Sequence, residues 1–179
     1  MTRFQIHYNK IIKYDLANTF LFKNVFEIPK ITKITLSLSS PKMVSKKKKL
    51  LSCLICLEIL TGIQGRPIRS KKNKIQLKIK KNDIVGCQIV LTKKKIYTFL
   101  ELFILQILPN MENKVNLKID KNNYKALTIN VPNLLKCPIL ETELFRFPII
   151  PSLQVNIQTN CKSILQTKFL LQSFNLPVK

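Results

Sequence analysis

Small residues and acids are scarce in this 179-residue chain. Glycine occurs only at Gly62, Gly65 and Gly86, alanine only at Ala17 and Ala126, and histidine only at His7. Asp and Glu together total 9. Each shortage closes off some chemistry. Three glycines leave no glycine-rich loop able to cradle a nucleotide phosphate. The scattered acids and single histidine provide no carboxylate pair, nucleophile elbow or metal-ligand spacing, so neither an enzyme nor a cofactor is expected. His7 falls in a helical pattern and reads as a packing or surface residue. No apolar run approaches a membrane span: Leu50–Leu60 is broken by Glu58, and Phe99–Leu108 by Glu101 and Gln106. Neither signal-peptide architecture nor a long Arg- and Ser-rich leader is read at the N-terminus. Cysteine is odd in number, at 5, which offers no disulfide framework and fits a reducing compartment.

What is abundant is positive charge. Lys and Arg total 31, for a net charge of +22. A compact body so charged repels itself unless a polyanion neutralises it, which makes nucleic acid the first candidate partner and an anionic membrane surface the second. No basic helix carries an exposed apolar face, which counts against the membrane. The hydrophobic fraction of 46% is enough for a real core, and the length suits one domain over 1–179. Lys, Ile, Asn and Leu dominate, a bias that AT-rich coding would produce and that suits an organelle's genome.

The stretch PKITKITLSLSS, Pro29–Ser40, organises the rest. Ile34, Leu36 and Leu38 alternate with Lys33, Thr35, Ser37 and Ser39, the pattern of a half-buried β-strand. Its polar side is either a solvated face or a row of donors for phosphate and ribose oxygens. Before it, residues 4–20 predict an amphipathic helix with Phe4, Tyr8, Ile11, Ile12 and Leu16 on one side. After it, Leu50, Cys53, Leu54, Leu57 and Leu60 predict a second helix, with Gly62 as its stop. Cys53 and Cys56 form a CxxC that lacks a matching pair, so buried thiols are expected there rather than a zinc site. Ile75, Leu77 and Ile79 alternate, turn at Asn82–Asp83, and alternate again from Val85 to Leu91, which predicts an antiparallel hairpin. A basic loop at 66–74 precedes it, whose aperiodic part, Arg69–Lys74, reads as mobile and suited to a backbone-tracking contact. Residues 93–108 predict a helix capped by Thr92, with Ile96, Phe99, Leu100, Phe103, Ile104 and Ile107 inside and Pro109 at its end. Two more strands are expected at Val115–Ile119 and Leu127–Val131, joined at Asn122–Asn123. An irregular excursion follows over 132–151. A strand at 153–159 and a helix at 161–174, burying Ile164, Leu165, Phe169 and Phe174, close the chain.

Lysines crowd two predicted helix starts, Lys46–Lys49 and Lys93–Lys95. The helix dipole is positive there, and each cation costs about 0.3–1 kcal/mol. Either these are solvated runs, or helix N-termini and ammonium groups converge on phosphates. The order of elements is an α+β pattern: an antiparallel sheet with helices packed on one face and the other face free to bind RNA. Aromatics suited to base stacking are not evident there, which favours contacts to RNA shape, phosphate and 2′-hydroxyl.

The residues also resemble a known family along nearly the whole chain. HY at His7–Tyr8, EIPKITKITLSLS at Glu27–Ser39, LEILTG at Leu57–Gly62, LKIKKNDIVGCQIVL at Leu77–Leu91, KKKIYTFLELFILQILP at Lys93–Pro109, NNY at Asn122–Tyr124 and FNLPVK at Phe174–Lys179 occur in the order found in the large-subunit ribosomal protein five family. The resemblance implies a structural protein of the central protuberance. Its sheet face would dock on 5S rRNA and adjoining large-subunit rRNA, a loop would reach the peptidyl-site tRNA, and the body would touch neighbouring protuberance proteins and a small-subunit head protein. On this reading the rRNA-binding residues are Lys30, Lys33, Thr35, Ser37, Ser39, Lys46, Lys47, Lys48, Arg66, Lys93, Lys94 and Lys95. The tRNA-side loop is Arg69, Ser70, Lys71, Lys72, Asn73 and Lys74. Three departures stand out: Ser39–Ser40–Pro41 replaces a glycine turn, GIQGRP occupies Gly62–Pro67, and DKNNYKAL lacks the glycines before Asn-Tyr. Such drift, with the coding bias, implies an organelle-encoded form in the mitochondrial matrix, on a mitoribosome, rather than in a plastid. The alternative is a free organellar RNA-binding factor acting in RNA processing or splicing.

Overall fold

A computed structural model describes residues 2–40, 47–111, 119, 124–134, 137–141 and 150–178, without the side chains of Lys47 and Lys48. The expected strand at 115–119, apart from Ile119, and the turn at Asn122–Asn123 lie outside the described residues, as do 142–149 of the excursion.

The fold is α+β, with a five-stranded antiparallel sheet in the order β2-β3-β1-β5-β4. The strands are β1 (Ile31–Ser39), β2 (Arg66–Arg69), β3 (Ile84–Leu91), β4 (Ala126–Val131) and β5 (Leu153–Thr159). The organising strand is therefore the central one. Ile31, Ile34, Leu36 and Leu38 are buried, and the alternation slips once, leaving Thr32 and Lys33 both exposed. Pairing on one side of β1 is seen in Asn160 N–H donating to the Lys30 carbonyl (3.2 Å) and Thr32 Oγ1 donating to the Gln158 carbonyl (2.9 Å). On its other side, Ser40 N–H donates to the Val85 carbonyl at 3.2 Å.

Contacts gather the chain into two compact units. The first comprises Met1–Ile34, Leu91–Ile129 and Asn156–Lys179. Its N-terminal helix runs through Arg3–His7, a wider π-type turn at Tyr8–Ile12, and Lys13–Phe20. Tyr8, Ile12 and Leu16 are buried as the spacing predicts, whereas Ile11 faces outward. Tyr8 stacks on Phe174 (6.2 Å) and donates its hydroxyl to the Pro29 carbonyl (2.9 Å). Burial pushes the Tyr8 phenol well above its ordinary range. The expected helix at 93–108 is present as Lys94–Leu102 continuing through Phe103–Ile107, with Ile96, Phe99, Leu100, Phe103 and Ile107 buried. Its cap is Lys93, not Thr92: Lys93 has φ 53 and ψ −126 and makes no side-chain cap hydrogen bond. The last helix is Ile164–Ser173, capped by Ser163 Oγ, which accepts from Gln166 N–H at 3.3 Å. Its inner stripe is Thr167, Leu170, Leu171 and Phe174, so Leu165, expected inside, is 69% exposed. Spacing i, i+3, i+4, i+7 from Thr167 fills one face; Leu165 sits off it.

The second unit comprises Thr35–Val90 and Asn130–Val155. Helix Lys47–Thr61 buries Cys53, Cys56, Leu57 and Leu60 and ends at Gly62, whose φ of 62 is the left-handed conformation of a helix stop. Part of the expected excursion is ordered by burial of Leu134, Cys137 and Leu140, the last two beside and within the short helix Pro138–Glu141. The hairpin differs from the one expected. The partner of β3 is β2, in the register Arg66↔Gln88 to Arg69↔Ile84, and not residues 75–80. Ile75–Leu77 is a single 3₁₀ turn whose Ile75 is 91% exposed. Residue alternation alone does not make a strand: the edge of β3 is taken by Arg66–Arg69, and Lys78 at φ 54 breaks the extended run.

Candidate nucleic-acid interface

β1 carries the first group of candidate residues. Lys33 and Ser39 are exposed and Thr35 and Ser37 half-buried, all on the side away from Leu36 and Leu38. Among the described residues, no hydrogen bond engages the hydroxyls of Thr35, Ser37 or Ser39, so each is free to donate outward. Thr32, by contrast, is committed to Gln158. Lys30 is exposed just before the strand, with its backbone held by the Asn160 side chain at 2.7 Å. Polar residues also alternate along β3, β4 and β5. In the first unit these are Thr128, Asn156 and Gln158; in the second, Gln88, Asn130 and Gln154. Asn156 Oδ1 is buried and has no hydrogen-bond partner. The strand alternation was the available signal for all six.

A second group forms a compact loop between β2 and β3. Ser70 N–H donates to the Asp83 carbonyl (2.8 Å) and Asn82 N–H to the Ser70 carbonyl (2.9 Å). Lys74 and Ile79 exchange backbone hydrogen bonds at 2.9 and 3.1 Å. Asn73 Oδ1 accepts from Lys81 N–H (2.6 Å), Asp83 Oδ2 from Lys80 N–H (2.7 Å), and Ser70 Oγ donates to the Lys72 carbonyl (2.7 Å). The expected basic loop at 66–74 is thus a strand at 66–69 followed by a loop tied to itself, because Asn73 and Asp83 replace missing backbone partners. Arg66, Arg69, Lys71, Lys72, Asn73 and Lys74 are exposed around it, joined by Lys78 and Lys80, expected in a strand, and by Lys81. Asp83 is the one acid of the loop, and it is half-buried and occupied.

Lys93, Lys94 and Lys95 are exposed at the start of helix Lys94–Leu102, whose first turn carries no acid. Lys46 lies outside the described residues, as do the side chains of Lys47 and Lys48.

All five cysteines are free and buried. Cys56 is pushed up to about 12 by burial, then by Cys53 and Cys137, and Cys137 to about 11 by burial. A hydrogen bond from Cys87 lowers the Cys53 thiol and, with burial, raises Cys87. Among the described residues no cluster of His, Cys, Asp or Glu could hold a metal ion, and no helix is long and apolar enough to cross a membrane.

No protein-family model matches the chain. Individual relatives do. Over 179 residues it is 30% identical to the large ribosomal subunit protein uL5m of Reclinomonas americana, spanning 99% of this chain and 98% of that protein. The chain belongs to the uL5 family. Other uL5 proteins match over nearly their whole length: that of Variovorax paradoxus is 30% identical over 183 residues, covering 100% of this chain and 99% of its own. That of Blochmanniella floridana is 27% identical over 180 residues, covering 100% and 94%. Proteins of the uL5 family are ribosomal structural proteins, and the chain is not an enzyme.

Proposed function

We propose that the chain is a structural constituent of the large subunit of a mitochondrial ribosome, docked on 5S rRNA and adjoining large-subunit rRNA at the central protuberance. The observation that carries this reading is the open side of β1, where Lys33, Thr35, Ser37 and Ser39 present a cation and unengaged hydroxyls in a chain of net charge +22 that aligns end to end with uL5 proteins. Hydroxyls at strand spacing suit ribose and phosphate oxygens, and the cations supply the counterion-release term. Lys30, Arg66 and Lys93–Lys95 extend the phosphate contacts. The self-tied loop with Arg69, Ser70, Lys71, Lys72, Asn73 and Lys74 reaches toward the peptidyl-site tRNA, and other surfaces meet neighbouring protuberance proteins and the small-subunit head. Mitochondrial residence and organelle coding are supported by the uL5m relative and by the Lys-, Ile- and Asn-rich composition.

Ultraviolet crosslinking in organelle extract, with sequencing of the attached RNA, tests the reading. The expected reads concentrate on 5S rRNA, or whatever RNA replaces it, and on adjoining large-subunit rRNA. Diffuse reads over messengers and introns without a ribosomal peak would favour a free RNA-processing factor.

A further inference from the structure

We propose that Phe26 is a stacking platform for a single unpaired RNA base, an inference that rests on the RNA-binding reading above. Phe26 stands in the connector between the N-terminal helix and β1 and is 95% exposed, more than any other large apolar side chain described. Its backbone is pinned. Val25–Glu27 is a 3₁₀ turn in which Glu27 N–H donates to the Asn24 carbonyl (3.1 Å) and Ile28 N–H to the Val25 carbonyl (3.4 Å). Glu27 is held by Lys162 Nζ at 2.7 Å, and Pro29 by the Tyr8 hydroxyl at 2.9 Å. Nearby rings pair among themselves: Phe20 with Phe22 at 6.1 Å and with Phe169 at 5.9 Å. Among the described residues Phe26 has no ring partner.

The surrounding charge selects the ligand class. Lys23, Lys30 and Lys33 are exposed on the same connector and strand, and the connector's one acid, Glu27, is neutralised by Lys162. A solvent-facing ring on a pinned backbone amid cations suits a nucleobase on a phosphate backbone, because every base offers a π-face and the phosphates satisfy the lysines. An apolar protein segment would leave those lysines unmatched. Phe26 thus supplies the stacking that the polar side of β1 lacks.

The chain contains no tryptophan, so Phe26→Trp places a unique fluorophore at the site. The full-length variant is titrated with deproteinised RNA from mitochondrial large subunits, alongside wild type and Phe26→Ala. Stacking predicts quenched Trp emission on binding. It also predicts that Phe26→Ala loses roughly ten- to a hundredfold in affinity with an unchanged salt slope, and that Phe26→Tyr restores it. Circular-dichroism melts of Phe26→Ala should match wild type, since the ring supports no core. Tight binding by all variants with unquenched emission would overturn the stacking proposal and leave the RNA reading intact. No binding by wild type would overturn both. Depletion of a neighbouring protein, rather than weaker RNA binding, in particles carrying Phe26→Ala would assign the ring to a protein contact and overturn the proposal.

Discussion

Lys93 occupies a backbone conformation that glycine enters freely and a β-carbon resists, with φ 53 and ψ −126. Its side chain is exposed, so no packing compensates. Lys93→Gly should therefore raise stability by about 1 kcal/mol, read as a higher urea midpoint with unchanged slope, while weakening RNA binding through the lost cation. A lower midpoint would mean the chain relaxes there. The opposite sign is expected at Gly86, where an added Cβ would overlap the Leu38 carbonyl oxygen and meet the Cα and Cβ of Ser39 at 3.0 Å. Gly86→Ala should cost about 1–3 kcal/mol or displace β3 from β1, and a midpoint equal to wild type would contradict the close approach. The scarcity of glycine was legible in the composition. Which residues would replace it was not: left-handed Asn82 and Asn175 are natural choices, but Leu21, Lys78 and Lys93 carry no local mark of their φ values.

At the scale of elements, burial stripes were the most readable feature. The strands β1, β3, β4 and β5 and the helix Lys94–Ile107 follow directly from their apolar spacing. The misplaced hairpin strand has a plain cause: a period of two says a segment could be a strand without saying which edge is vacant. Residues 75–80 alternate well, yet four-residue β2, with no alternation to speak of, holds the edge of β3. In the loop that results, two side chains supplement the backbone hydrogen bonds. Asn73→Ala with Asp83→Ala should speed amide hydrogen exchange across 70–83, because the Lys80 and Lys81 N–H groups lose their acceptors. Arg66–Arg69 should remain protected by the β2–β3 ladder. The global midpoint should move by less than about 2 kcal/mol, as two exposed hydrogen bonds contribute modestly. Equal acceleration in both segments would show that loop and ladder open together.

Across the whole molecule, two titrations distinguish the core from the surface. The core holds thiols whose protons are retained by burial, Cys56 up to about 12 and Cys137 up to about 11, against an ordinary value of 9.0. Above pH 9 the unfolded chain releases these protons and the folded chain keeps them. Stability is then intact below about pH 9 and falls as pH rises toward 11–12, a decline that Cys56→Ala should shrink in urea titrations. The surface responds to salt instead. With net charge +22 and Lys30, Lys33 and Lys93–Lys95 exposed, the logarithm of RNA affinity should fall linearly with the logarithm of salt concentration. Replacing Lys71, Lys72 and Lys74 together with Gln distinguishes two arrangements of that charge. If the loop lies against RNA in the isolated large subunit, the slope should shrink by roughly one per lysine. If these lysines meet only tRNA, the slope for deproteinised large-subunit RNA stays as in wild type, and the loss appears in tRNA binding by assembled ribosomes. The second pattern is the one expected here, since the loop is braced by its own hydrogen bonds and can stand clear of the rRNA while keeping its shape.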